Sequence, residues 1–218
     1  MEQTTPKGLC YLALGLLLVT PLCSWATPTA LNLIPTADLV GEGYCDIQVE
    51  LTGQVTPLAT PTGVWLMSTV GLGKCAEVGM DYFGGEIFLD AKVQLFSESP
   101  TWPRISLGAT DLTRDGIGSD WYLAATKDLG ATRLTVGYRD DGQSRLLVGG
   151  YVPLSEVWMV AADYATGPGG YATVGVSRPV ADSLCALLYY AKHNDDADAD
   201  FIGLNLCWSC DLTGRGGD

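Results

Sequence analysis

A hydrolytic or transfer enzyme needs a nucleophile within reach of a base. This chain holds a single histidine, His193, beside Asn194, and none of its serines sits in a G-x-S-x-G turn. His193 therefore reads as a polar residue at a loop edge. The acidic side chains are more numerous. Asp46, Glu50, Glu77, Asp81, Asp90 and Asp163 fall in stretches of alternating polarity, where two of them facing one bond would make the acid and partner of glycoside chemistry. A competing expectation is electrostatic. Lys92, Arg133 and Arg145 lie in stretches of the same kind, and pairing would relieve the cost of confined, unpaired charge.

Two further groups have the spacing of metal ligands. Asp195-Asp-Ala-Asp-Ala-Asp200 has the carboxylate density of a Ca²⁺ loop but lacks the turn glycine and closing glutamate, so it reads as a solvated acidic loop. Cys207-x-x-Cys210 is half of a zinc knuckle or a redox pair, and no second such motif occurs. No catalytic residue, metal or cofactor is expected. Nucleic acid is excluded as a partner by a net charge of −13 without any basic run.

The elements that carry these residues are strands. Leu129–Tyr138, Leu154–Tyr164 and Val180–Tyr190 follow one plan: an aliphatic residue, a small polar turn, a run of strand formers and a closing tyrosine. A fainter copy runs from Leu72 to Tyr82. Openings 25 and 26 residues apart, with a return strand between them, make each period a β-hairpin. Twelve strands are expected: 44–51, 64–70, 76–82, 87–96, 104–110, 120–127, 132–139, 145–152, 157–166, 171–178, 184–192 and 201–208. Connections at one end are tight, as at 71–74, 130–131, 153–156 and 179–182. At the other they are polar and often longer, as at 52–63, 111–119, 140–143, 167–170 and 193–200, with 97–103 an exception on the tight side.

Each strand has one apolar and one polar or small face. Leu134 and Val136 oppose Thr135, with Gly137 suggesting room on Thr135's side; Leu204 and Leu206 oppose Asn205. Period alone does not say which face looks outward, but two features favour a membrane barrel. Aromatics fall at strand ends (Trp65, Tyr82, Trp121, Tyr138, Trp158, Tyr164, Tyr190, Trp208), and the polar face is rich in Gly, Ala, Ser and Thr. The expected fold is all-β, a single antiparallel up-and-down transmembrane β-barrel. Asp46, Glu50, Glu77, Asp81, Asp90, Lys92, Arg133, Arg145 and Asp163 then face the lumen, and Leu134, Val136, Leu204 and Leu206 face lipid.

Residues 1–26 read as a signal peptide: Lys7, an apolar Leu9–Val19 run, Pro21, and a Ser24-Trp25-Ala26 cleavage site. Cleavage there leaves Cys45, Cys75, Cys185, Cys207 and Cys210, and at least one disulfide is expected, with Cys210 the favoured partner. Residues 27–43 form a lead-in that Pro28 and Pro35 keep from being helix or central strand. It could lie extended inside or beneath the barrel. The barrel spans 44–208 and a tail 209–218.

On these hairpins the chain resembles small bacterial outer-membrane β-barrel proteins. Leu31-Asn-Leu-Ile-Pro-Thr-Ala37 is similar to the mature start of an exopolysaccharide-associated group of them. The resemblance implies a passive narrow channel or structural, surface-binding barrel in the cell outer membrane. Its partners would be outer-membrane lipid, the barrel-assembly machinery and polysaccharide or small solutes. Such barrels usually end on an aromatic residue, whereas Trp208 is followed by Ser209 to Asp218. The alternative is a soluble exported β-barrel binding a small apolar ligand.

Overall fold

A computed structural model describes residues 30–55, 60–113 and 120–213. The signal peptide, residues 27–29 of the lead-in and the end of the tail lie outside the described residues. Twelve strands appear among the described residues: β1 (Tyr44–Gln54), β2 (Thr60–Leu72), β3 (Ala76–Phe83), β4 (Glu86–Phe96), β5 (Arg104–Ala109), β6 (Trp121–Asp128), β7 (Arg133–Asp140), β8 (Ser144–Pro153), β9 (Met159–Ala165), β10 (Tyr171–Ala181), β11 (Leu184–His193) and β12 (Phe201–Asp211). Each is antiparallel to its sequence neighbours, and β12 pairs with β1 from Tyr44↔Asp211 to Gln54↔Phe201. The sheet therefore closes into an up-and-down barrel with no free edge.

Some boundaries differ from expectation. β12 runs on through Ser209 and Cys210 to Asp211, so Trp208 stands inside the strand and does not end it. β9 starts at Met159 because the preceding turn holds Val157 and Trp158: both amides donate to Ser155 Oγ, at 3.3 and 3.1 Å. The contrast between rims is softened. A two-residue turn, Gly84-Gly85 at φ +61° and +93°, sits among the longer loops, where only glycine takes both angles without strain. The 97–103 connection sits among the short ones.

Alternation sorts the walls. On β4, Ile87, Leu89 and Val93 are exposed while Phe88 and Lys92 are buried; on β7, Val136 is 56 % exposed and Thr135 is 2 % exposed. Apolar side chains stand outside and the polar ones inside, the reverse of a soluble barrel. Two large tyrosines occupy the interior by lying on glycines of the next strand. A Cβ on Gly108 would meet Tyr122 Cζ at 2.2 Å, and one on Gly203 would meet Tyr189 Cζ at 2.2 Å.

Candidate functional site: an interior filled by the chain's own lead-in

The lead-in lies within the barrel. It rises from the rim of short turns, where it continues into β1, and ends in a tight reversal in which the Leu31 amide donates to Ile34 O at 2.9 Å. Leu31, Ile34, Ala37 and Val40 are all buried, Ala37 completely. Leu31 and Ile34 pack on Leu147 of β8 and Ala161 of β9, Leu33 on the Leu187, Tyr189 and Ala191 face of β11, and Ala37 on Tyr122 and Ala124 of β6. The four buried apolar positions recur every third residue. That spacing is neither the two of a β-strand nor the 3.6 of an α-helix, and it puts one apolar edge along a segment threaded between walls.

The segment's backbone groups find partners in the wall, as buried amides must. Asp163 Oδ2 of β9 accepts from the Asn32 and Leu33 amides at 2.8 and 3.1 Å. The Asn32 amide nitrogen Nδ2 donates to Thr173 Oγ1 at 2.9 Å. Thr126 Oγ1 accepts from the Ala37 amide at 2.8 Å and lies 2.9 Å from Thr135 Oγ1, while Ser106 Oγ donates to Ala37 O at 2.6 Å. Glu77 Oε2 accepts from the Val40 amide at 2.7 Å. Where the segment leaves the interior, its backbone presses on β2: a Cβ on Gly71 would sit 2.2 Å from Gly41 O and 2.5 Å from Val40 O.

Charge closes the lower end. Asp38 of the lead-in receives Arg133 Nε at 2.9 Å and Nη2 at 2.5 Å, and Arg104 Nη1 lies at 3.2 Å. Arg133 also reaches Glu98 at 2.9 Å. Lys92 Nζ donates to Asp38 O at 2.8 Å and pairs with Glu77 at 2.9 Å. In the 97–103 loop, burial alone would raise the Glu98 carboxyl, but the Asp128 amide, Arg133 and Lys127 outweigh it and hold the group below its ordinary value.

Of the nine charged positions singled out in the sequence, Asp46, Glu77, Lys92, Arg145 and Asp163 are buried, and the partners of the set differ from a simple acid–base pairing across strands. Lys92 does meet Glu77, but Arg133 turns to the lead-in and the 97–103 loop. Arg145 pairs with Asp141 at 2.9 Å and donates to the carbonyls of Thr166 and Pro168, tying down the 166–170 loop. Asp46 accepts from Ser209 Oγ at 2.6 Å, and Glu50 lies 3.4 Å from the Asn205 amide nitrogen. Asp81 and Asp90 line a cavity of about 240 Å³ with Met67, Thr69, Lys92 and Arg139. A second cavity of about 300 Å³, on the long-loop side, is lined by Leu33, Arg139, Arg145, Asp163, Tyr171 and Phe201. The lead-in residues Leu33 and Pro35 border both.

Three sequence expectations are corrected here. Trp65 points inward, stacked on Phe83 at 4.1 Å between centroids, because its rung partner Glu50 faces the interior. Thr135 has no free room, since it is bonded beneath Ala37 and a Cβ on Gly137 would meet Leu123 O at 2.7 Å. In place of the expected disulfide, all five described cysteines are free thiols. His193 is at the loop edge, as expected, and its Nδ1 accepts from the Asp195 and Asp196 amides at 3.2 and 2.9 Å, so it caps its own loop.

No protein-family model matches the chain, and no curated protein matches it. Among solved structures, a KdgM porin overlaps it with a TM-score of 0.49 and 9 % identity over 75 % of this chain and 98 % of that one. The Acinetobacter baumannii outer membrane protein Omp33 overlaps with a TM-score of 0.47 and 14 % identity, over 77 % of this chain and 98 % of that one.

Proposed function

We propose that the chain is an outer-membrane β-barrel, a passive narrow channel held shut by residues 30–43. The carrying observation is the inverted wall: Ile47, Leu66, Met80, Leu89, Val136, Val148 and Val174 are all exposed, while Asp46, Glu77, Lys92 and Asp163 are buried. So much contiguous apolar surface would aggregate in water and is at home in lipid. Leu134, Val136, Leu204 and Leu206 belong to the lipid face in this reading. Aromatics border that face at both rims. Tyr82, Tyr138, Tyr164 and Tyr190 lie toward the longer loops, with Trp121 against Tyr138 at 5.4 Å, and Tyr44, Trp102 and Trp208 lie toward the shorter ones. Tyr190 is opposite Ile202, six residues along β12 from Trp208. That is roughly 20 Å of strand, commensurate with an apolar band about 25 Å tall. No helix among the described residues is long and apolar enough to cross a membrane, so crossing falls to the strands.

Two cavities that charged side chains reach, Asp81, Asp90, Lys92 and Arg139 in one and Arg139, Arg145 and Asp163 in the other, flank a segment held by hydrogen bonds and ion pairs, which supports a channel over a solid structural barrel. A ligand-binding barrel for apolar molecules would need an apolar interior, and this one is charged. Tyr171 and Phe201 beside Arg145 and Asp163 offer flat faces with convergent polar groups, which supports a saccharide as the solute. The test combines cell fractionation, heat-modifiable migration and planar-bilayer conductance of the mature chain and of a chain lacking residues 27–40. The expected result is an outer-membrane protein with rare openings that become sustained in the shortened chain. A protein soluble without detergent refutes the membrane reading, and a folded, shortened barrel that never conducts refutes the channel.

A further inference from the structure

We infer that Arg104 and Arg133 form a binding site for a small free carboxylate, which Asp38 fills for as long as the lead-in stays in the barrel. The two arginines are the first residues of β5 and β7, so both stand at the rim of short turns. Arg133 presents Nε and Nη2 to the two oxygens of Asp38, at 2.9 and 2.5 Å, and Arg104 Nη1 lies 3.2 Å from one of them. A guanidinium fork that meets both oxygens is matched to a carboxylate in shape as well as in charge. The occupant belongs to the lead-in, and the groups that receive it belong to the wall.

The wall is left short of an anion when Asp38 goes. Lys92 keeps Glu77 and Arg133 keeps Glu98, at 2.9 Å each, but Asp38 is the one carboxylate paired with Arg104 among the described residues. Arg104 also has a donor to spare: its Nε is buried and makes no hydrogen bond among the described residues. The side chains of Arg104 and Arg133 are 30 % and 15 % exposed, so an anion approaches them from the short-turn rim without crossing the filled interior. A free carboxylate and Asp38 exclude each other. The ligand therefore binds once the segment has moved off, and by binding it holds the segment off. That effect on opening rests on the channel reading above; the site itself does not, and its test needs no conductance.

The test is complementation of the full chain by acetate. Asp38→Ala removes the carboxylate and leaves its space to a small anion, whereas Asp38→Asn keeps the space filled. Both variants and the wild type are unfolded in urea, with acetate replacing chloride at constant ionic strength. The wild type and Asp38→Asn carry the general salt effect, which is subtracted. Acetate at about ten times its dissociation constant should then favour folded Asp38→Ala roughly tenfold, read as a higher urea midpoint. Adding Arg104→Gln to Asp38→Ala should abolish the response. If Asp38→Ala does not fold in chloride, acetate should restore its heat-modifiable folded band. The site is overturned by a response no larger in Asp38→Ala than in the wild type, by one that survives Arg104→Gln, or by an unfolded Asp38→Ala that acetate does not restore. A chain that shows the acetate response and never conducts refutes the channel alone.

Discussion

Asp38→Asn should open the channel without unmaking the barrel. The carboxylate accepts two hydrogen bonds from Arg133 and lies 3.2 Å from Arg104, with its side chain 15 % exposed. Hydrogen bonds to a charged group contribute about 1.5–3 kcal/mol. The amide keeps one acceptor, Arg133 retains Glu98 at 2.9 Å, and the Arg104 guanidinium, its side chain 30 % exposed, has access to water. The loss therefore lies near the lower end, about 2 kcal/mol, and it falls on the filled state because Asp38 belongs to the segment and not to the wall. At 1.4 kcal/mol per factor of ten, the open fraction should rise roughly 30-fold. Single-channel recording in planar bilayers measures it as open probability. Glu98→Gln is the control: it removes the other carboxylate on Arg133 without touching the segment, and opening should stay near the wild-type level. Unchanged open probability in Asp38→Asn, or an equal rise in both variants, would refute the idea that the segment is the gate.

Val136→Arg should impair folding into vesicles by roughly 2–4 kcal/mol, the cost of arginine at the lipid midplane. Thr69→Arg, directed into the cavity beside Asp81 and Asp90, should fold almost normally, and heat-modifiable migration compares the two. Gly71→Ala places a methyl against Gly41 O and Val40 O, both backbone atoms, so about 1–3 kcal/mol of overpacking strain should lower the urea midpoint and raise open probability together. For Glu98 the folded carboxyl titrates below its ordinary value. Its contribution is thus present above the unfolded pKa, near 4.3, and is lost as pH falls through the depressed folded value. The gap in urea midpoint between wild type and Glu98→Gln should be constant near neutrality and close only in strong acid.

The strands were legible because a two-residue period survives every choice of partner, so β3, β7 and β12 could be drawn from polarity alone. Trp65 was misplaced for a related reason. Proximity to a strand end suggests an interface, but its face is set by rung register with Glu50, which requires β1 and β2 to be aligned. The lead-in was harder. Pro28 and Pro35 said only that it is neither helix nor central strand, and the three-residue recurrence of Leu31, Ile34, Ala37 and Val40 had meaning only once a surrounding wall was known. The ion pairs were illegible for that reason too: Arg133 and Lys92 choose partners across the lumen, and Asp38 becomes available only because the segment is inside.

The lead-in's place in the chain has a consequence for biogenesis. Residues 30–43 precede every strand, so they leave the ribosome before the wall that encloses them, while β12 arrives last. The β1–β12 ladder joins the ends of the sheet and cannot begin until everything between has been delivered, which makes it the longest-range and slowest pairing to form. Asp163, Thr126 and Glu77 each bond an amide of a segment already present when their own strands emerge. The wall can accordingly condense around its filling, strand by strand, with a segment made before any strand serving as the mould for those that follow.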